Sequence, residues 1–316
     1  MRLIEEKRGC LFLRHPLQGE YRVKMYADRR LAYTYLFPAV ILVLVFIYYP
    51  AVLNIFYSLY RWSAFSEKKI YVGLYYYNRL FKDPVFYVAL KNNALYAVIS
   101  LVFQVGFGLI IAAILEEKFM RRYQAFFRTV YFSPAVISLT VVGLLWQLIY
   151  NSNIGIVNAF LKLIGFGNYA QDWLGSSKTA IFAVIAVSQW QYTGYIMILF
   201  LVAIQKIPYE LYEAAMIDGA NRLQMFFNVT VPQVKEMILV CTTITIIGAF
   251  KVFDEVYVMT AGGPGRSSEV LATYLYRSAF RNDEMGYAAA IAFVIFVITF
   301  VLSFLQIKLF RTGADA

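Results

Sequence analysis

Apolar positions in this chain are gathered into long uncharged runs instead of recurring with the period of a strand or a surface helix. No Asp, Glu, Lys or Arg interrupts residues 31–60, 92–115, 129–161, 179–205 or 285–307. A sixth run begins at Met237 and meets Lys251, so it is apolar with a charged outer end. A helix needs about 20 predominantly apolar residues to cross about 30 Å of hydrocarbon. The pattern therefore predicts six transmembrane helices, roughly 31–53, 94–115, 127–150, 180–204, 237–259 and 287–309. Backbone groups in lipid must be satisfied within the segment, and runs of this length do that as helices. The expected fold is an all-α integral membrane protein.

Composition agrees with the pattern. Of 316 residues, 61% are hydrophobic and 15% charged, against about 45–50% and about 25% in soluble domains; mean hydropathy is +0.61. Six spans put both termini on one side. That side (residues 1–30, 116–128, 205–236 and the C-terminus) carries seventeen of the 29 Lys and Arg. Eleven lie in 61–91, 151–179 and 259–287. The bias predicts cytoplasmic termini. The net charge of +10 then reads as a topology signal, and no nucleic acid partner is needed to explain it.

The organisation expected is one membrane domain, 31–310, between a basic cytoplasmic tail, 1–30, and a short cytoplasmic tail, 311–316. The tail mixes charges with apolar pieces such as "CLFL", and no small-residue cleavage site follows the first run, so no removable signal peptide is expected. Cys10 lies in the tail and Cys241 in a span, which argues against a disulfide. His15, the single histidine, has no cluster of ligands around it, so no metal or other cofactor is expected. The 26 Tyr, 27 Phe and 4 Trp crowd the span ends as interfacial anchors. Pro38, Pro50 and Pro134 should kink or cap spans. Gly106, Gly108, Ala112 and Ala113 should let a neighbouring helix approach closely.

The longest internal loop on the cytoplasmic side, 205–236, contains "EAAMIDGANRLQMFF" at 213–227. Pro208 suits a helix start, and Glu210 and Glu213 favour its positive end. At helical spacing Leu211, Ala214, Ala215 and Asp218 share one face, nearly flat because its central side chains are methyl groups. Gly219 can end that helix. Asn221 with Gln224 has the spacing of a capping box for a second helix, whose Leu223, Phe226 and Phe227 form an apolar stripe. Two short helices joined at a glycine elbow could dock into a groove on another protein, or simply cap the bundle.

Two polar groups lie within the spans. Lys251 should face Asp254 at i+3 and Glu255 at i+4, either as a self-neutralising cluster or as the wall of a hydrated path. "QWQYTGYI" places Gln189, Gln191, Tyr192, Thr193 and Tyr195 in mid-bilayer. There they could hydrogen-bond between helices or meet a sugar, whose hydroxyls need partners and whose C–H faces stack on rings. "AGGPGRSS" at 261–268 lacks the Gly-Lys-Ser/Thr ending of a phosphate loop, so nucleotide binding is rejected.

"YELYEAAMIDGANRLQMFFNVTVPQV" resembles the signature loop of the permeases of ABC importers: Glu-Ala-Ala, three residues, Gly, then a later Pro. Glu213, Ala214, Ala215, Gly219 and Pro232 match it. Asp218–Ala220 and the Gln224/Phe226 pair resemble its carbohydrate-uptake branch. "VGLYYYNRLFKDPVFYVALKNN", "GIVNAFL", "FKVFDEVYVMTAGGPG", "YLYRSAF" and "GYAAAIA" extend the resemblance over 31–310. It implies a type I importer fold and a coupling helix seated on an ATPase, through Glu213, Ala214, Ala215, Asp218, Gly219, Ala220 and Asn221. It further implies an ATP-binding cassette dimer, a second, related permease, and an extracytoplasmic solute-binding protein facing the 261–268 turn. The setting would be a bacterial or archaeal cytoplasmic membrane, in contact with lipid. Aligned back from Pro208, Gln191, Tyr192 and Tyr195 fall where a maltose permease of the family contacts its sugar; with Lys251 and Asp254 they are the candidate substrate path. The chain would carry no covalent chemistry of its own. The alternatives are an importer of another solute, such as a polyol, glycerol phosphate or modified oligosaccharide, and a stand-alone channel or secondary carrier. The second lacks acidic residues in the first four spans and a visible inverted repeat. A membrane enzyme lacks a His/Asp/Glu constellation.

Overall fold

The computed structural model describes residues 29–312. The expectations for the tail before Arg29, for Cys10 and His15, and for residues 313–316 lie outside the described residues. The chain divides into two units, Met1–Leu53 and Asn54–Ala316. A helix over Arg29–Val43 passes through a π turn, Leu44–Tyr48, into Tyr49–Tyr57, and the boundary between the units falls inside the last of these. Pro50 has no N–H and its ring crowds the carbonyl four residues earlier, and a wider turn absorbs that conflict. Pro38 sits inside the first helix.

The second unit holds a feature the run pattern does not predict. Tyr60–Ser63 and Ser66–Tyr71 pair as an antiparallel hairpin, with Tyr60 opposite Tyr71. Those two rings meet edge to face at 5.4 Å, a cross-strand aromatic pair of the kind that stabilises short ribbons.

The next span runs over Pro84–Glu116 and starts ten residues before the expected 94. The Asp83 carboxylate accepts from the Val85 N–H at 2.9 Å, and Pro84 occupies the first helical position. A strong cap thus starts the helix ahead of Lys91, whose exposed side chain does not oppose it.

The expected span 127–150 is two helices, Gln124–Val136 and Leu139–Ile149, bent by 97°. Ile137 and Ser138 are extended, with ψ of 138° and 133°. Pro134 cannot donate to the preceding turn. The Gln191 amide, from another helix, donates to the Ile137 carbonyl at 3.2 Å and satisfies a group that the bend releases. Ala180–Ile204 is uninterrupted and matches 180–204. The expected 237–259 stops at Lys251, turns at Val252 and Phe253, and resumes over Asp254–Met259. The last helix covers Met285–Thr312.

One buried cluster gathers Phe86, Tyr96, Val184, Phe250, Leu271 and Tyr287; another gathers Leu109, Met197, Phe200, Leu201 and Cys241. Buried asparagines pin the first. Asn93 donates to the Ala249 carbonyl at 2.6 Å and accepts from the Leu271 N–H at 2.8 Å. Asn92 donates to the Ser267 and Glu269 carbonyls, each at 2.8 Å. At that end of the unit Arg79 holds Glu284 through two bonds of 2.7 and 3.0 Å. Tyr274 donates to Asp83; burial and that carboxylate hold its phenol well above the usual range.

Candidate functional site

Three helices present polar side chains at spacings that align them on single faces. Tyr96, Ser100 and Gln104 are four residues apart in Pro84–Glu116. Ser188, Tyr192 and Tyr195 lie on Ala180–Ile204, and Thr245 and Lys251 on Lys235–Lys251, with Gly248 between them. The three faces line an open cavity of about 620 Å³, with Ala135 and Leu139, on either side of the bend, also on its wall.

The break in the fifth span gives the cavity its charges. Lys251 ends one helix, where carbonyls favour a cation, and Asp254 and Glu255 open the next, where free N–H groups favour anions. Stacking at i+3 and i+4 needs a continuous helix, and Val252, with φ −56° and ψ 127°, interrupts it. Among the described residues Lys251 forms no ion pair with Asp254 or Glu255. The expected self-neutralising cluster is therefore not formed. Lys251 and Asp254 are exposed and Glu255 is buried, all three on the cavity wall. The buried Thr245 hydroxyl has no hydrogen-bond partner among the described residues, which marks a wall able to take a polar ligand.

Of the expected path residues, Tyr192, Tyr195, Lys251 and Asp254 come together here. Gln191 does not line the cavity: it is 1% exposed and bonded to the bent span. Gln189 is also spent internally, donating to Ser100 at 3.1 Å and to the Ile185 carbonyl at 2.8 Å. Sequence reasoning missed Tyr96, Ser100, Gln104 and Thr245. The four-residue spacing of the first three was the available signal.

The second candidate element is the loop 205–236. A helix covers Tyr209–Ile217, with Pro208 immediately before it and Glu210 in its first turn. It ends in a Schellman motif. The Ala220 N–H donates to the Ala215 carbonyl at 2.9 Å and the Gly219 N–H to the Met216 carbonyl at 3.1 Å, and Gly219 takes φ +78°. That left-handed conformation suits glycine. Asn221 and Gln224 close a capping box through bonds of 2.9 and 2.8 Å. The helix Arg222–Met225 continues as a π turn, Phe226–Thr230. Tyr212, its phenol raised by burial, bonds Thr230 at 2.9 Å and ties the two arms together.

Glu213, Ala214, Asp218, Gly219 and Asn221 are exposed, with Ala215 and Ala220 half-buried. The expected apolar stripe is divided: Phe226 packs on the second core cluster, whereas Leu223 and Phe227 stay exposed. Ile217, at 86% exposure, extends this open apolar surface around the elbow.

Apolar spans around a cavity that carries polar and charged side chains on a largely apolar wall, and an exposed elbow between two short helices, have the parts of a membrane permease. The chain belongs to the family of binding-protein-dependent transport system inner membrane components, whose model matches residues 85–311. It is 54% identical over 288 residues to the probable ABC transporter permease protein YurN of Bacillus subtilis (strain 168), covering 91% of this chain and 98% of that one. It is 37% identical to the lactose transport system permease protein LacF of Rhizobium radiobacter, covering 85% and 90%. Among solved structures it resembles a bacterial ABC transporter involved in the import of the acidic polysaccharide alginate. The TM-score is 0.78 at 26% identity, over 92% of this chain and 99% of that one. It is a multi-pass membrane protein and a transport component, not an enzyme.

Proposed function

We propose that this chain is one permease subunit of an ATP-driven, binding-protein-dependent carbohydrate importer. The observation that carries the reading is the combination, within one family member, of a cavity bearing polar and charged side chains with an exposed helix, elbow and helix at 209–225. Its relatives include proteins named as permeases for lactose and arabinooligosaccharides, and a related structure includes alginate pentasaccharide bound to a periplasmic protein. The partners are an ATP-binding cassette dimer, a second permease that completes the path, and an extracytoplasmic solute-binding protein. Residues 205–236 lie on the cytoplasmic side together with both termini, in keeping with the Lys and Arg bias.

In this reading the ATPase seats Glu213–Gly219, with Ala214, Ala215 and Asp218 forming the flat contact and Ala220 and Asn221 fixing the exit. ATP-driven closure of the ATPase pair moves the elbow, and the bundle rocks between access states. Sugar passes between Tyr192, Tyr195, Lys251 and Asp254, where rings supply stacking surfaces and charged groups meet hydroxyls. Three measurements test it. A tagged chain should co-purify with an ATPase, and Gly219→Asp should abolish solute uptake by the intact transporter; a chain that purifies without any ATPase, with uptake untouched by Gly219→Asp, sinks the ATPase-coupling reading. Lys251→Met should leave assembly intact and lower uptake, and unchanged transport kinetics would remove Lys251 from the path.

A further inference from the structure

The connection that follows the second span breaks a local rule. Gly108–Glu116 ends in Glu116 with Glu117 beside it, and its last turn holds no basic residue. A helix C-terminus carries partial negative charge and favours cations, so two carboxylates there are out of place on local grounds. Glu116 is held partly from its own loop and partly from the 205–236 segment, and Glu117 is held from that segment. Glu116 Oε2 accepts from Gln205 Nε2 at 3.2 Å and from Gln124 Nε2 at 2.7 Å, while Oε1 accepts from Arg121 at 3.2 Å. Glu117 Oε2 lies 3.5 Å from Arg222 Nη1, and the Arg222 guanidinium sits 5.8 Å from the Phe119 ring centre. Lys118 Nζ lies 5.4 Å from the Tyr209 ring centre.

The positions matter more than the number of contacts. Tyr209 begins the helix before the Gly219 elbow and Arg222 begins the helix after it. Lys118 and Glu117 are adjacent, so one short segment grips both arms, and it is continuous with the span carrying Tyr96, Ser100 and Gln104 on the cavity wall. Exposed pairs such as these add little stability. Their consequence is geometric: both arms touch the segment that ends the second span.

We propose that Glu117 and Lys118 are positioning residues of the coupling apparatus, clasping the arms of the 209–225 elbow and carrying its movement into the second span. This rests on the reading of that elbow as the ATPase seat. The transporter assembled with its ATPase, in lipid nanodiscs, provides the test. Cys10 and Cys241 are replaced by alanine and a reporter, Ile244→Cys, is placed on the cavity wall, where Ile244 is exposed. The probe is MgATP, and the readout is the change it causes in the rate of N-ethylmaleimide labelling. The parent should respond by about fivefold or more, the lower end of ordinary coupling between sites. Glu117→Arg and Arg222→Glu should each lose most of that response while the subunits still co-purify, and the double reversal should restore it. Lys118→Gln should weaken it. Single reversals that keep the parental response, or a double reversal no better than either single one, overturn the proposal. A parent without response, or a response that survives Gly219→Asp, overturns the ATPase-seat reading itself.

Discussion

Gly194 lies between Tyr192 and Tyr195, where the fourth span crosses the first half of the bent span, and Gly194→Ala should be costly. A Cβ there would fall 1.7 Å from the Tyr131 carbonyl oxygen, 2.3 Å from its carbonyl carbon and 3.0 Å from the Phe132 nitrogen. All three are backbone atoms, so no rotamer change relieves the clash. Real Cβ contacts essentially never fall under 3.0 Å, so the two helices must part by roughly 1 Å or more, a gap that forfeits much of the dispersion energy along their contact. Overpacking typically costs about 1–3 kcal/mol, and a rigid backbone obstacle puts this case near the upper end. At about 2.1 cal/mol/K of unfolding entropy per residue, a chain of 316 residues loses about 1.5 °C per kcal/mol, so the melting temperature should fall by roughly 3–5 °C. The assay is thermal unfolding of the detergent-purified permease, followed by tryptophan fluorescence. Gly248→Ala is the paired control, because a Cβ there meets nothing within 4 Å; it should melt with the parent or slightly above it. A Gly194→Ala melt indistinguishable from that of Gly248→Ala would refute the packing argument.

Three further outcomes follow from buried polar contacts and caps. Asn93→Leu removes both bonds that tie the second span to Ala249 and Leu271 and strands a buried N–H, which should cost about 2–3 kcal/mol in the same melt; a shift within error would contradict it. Arg277→Met leaves the fully buried Glu269 carboxylate without its ion-pair partner, 3.1 Å away, and should cost about 3–5 kcal/mol near neutral pH. Burial already raises the Glu269 carboxyl above its ordinary 4.5, so the folded state holds its proton more tightly than the unfolded one. The added penalty is therefore absent while Glu269 stays protonated in the parent fold, and it grows as pH rises above that raised value toward the still higher one in Arg277→Met; a loss independent of pH between 4.5 and 8 would refute the assignment. Asn221→Ala removes the acceptor of the capping box and should cost about 1 kcal/mol, seen as faster amide exchange confined to 222–225, and uniform protection would count against it.

Much of the elbow was legible because its structure is made within the segment. The Schellman motif at Gly219 and the box between Asn221 and Gln224 use hydrogen bonds that span no more than five residues. Local residue types are sufficient for such bonds. The apolar stripe beyond it was legible only as a pattern: periodicity put Leu223, Phe226 and Phe227 together, but it could not tell that Phe226 alone meets the core. At the cavity, Tyr192, Tyr195, Lys251 and Asp254 were identifiable as polar groups inside apolar runs. Tyr96, Ser100 and Gln104 do not stand out in the sequence, because hydroxyls and amides are common packing groups in such helices.

The number of apolar runs and their charge-flanked loops were determined by the sequence itself, because bilayer thickness imposes a length on any crossing helix. The breaks were not. Continuous apolar composition reads as one helix across 127–150, and only the fourth span, by offering the Gln191 amide to the Ile137 carbonyl, satisfies the chain where it bends. Likewise Lys251 and Asp254 are a helical pair in sequence and are separated in the fold, since the turn at Val252 has its own backbone geometry. The cavity is the furthest from local determination. Tyr96, Tyr192 and Thr245 belong to spans far apart along the chain, and helical period places each on a face without saying which faces will meet. That choice is made by close packing of whole helices, as where Gly194 lets the fourth span lie against the Tyr131 backbone, and it exists only in the tertiary structure.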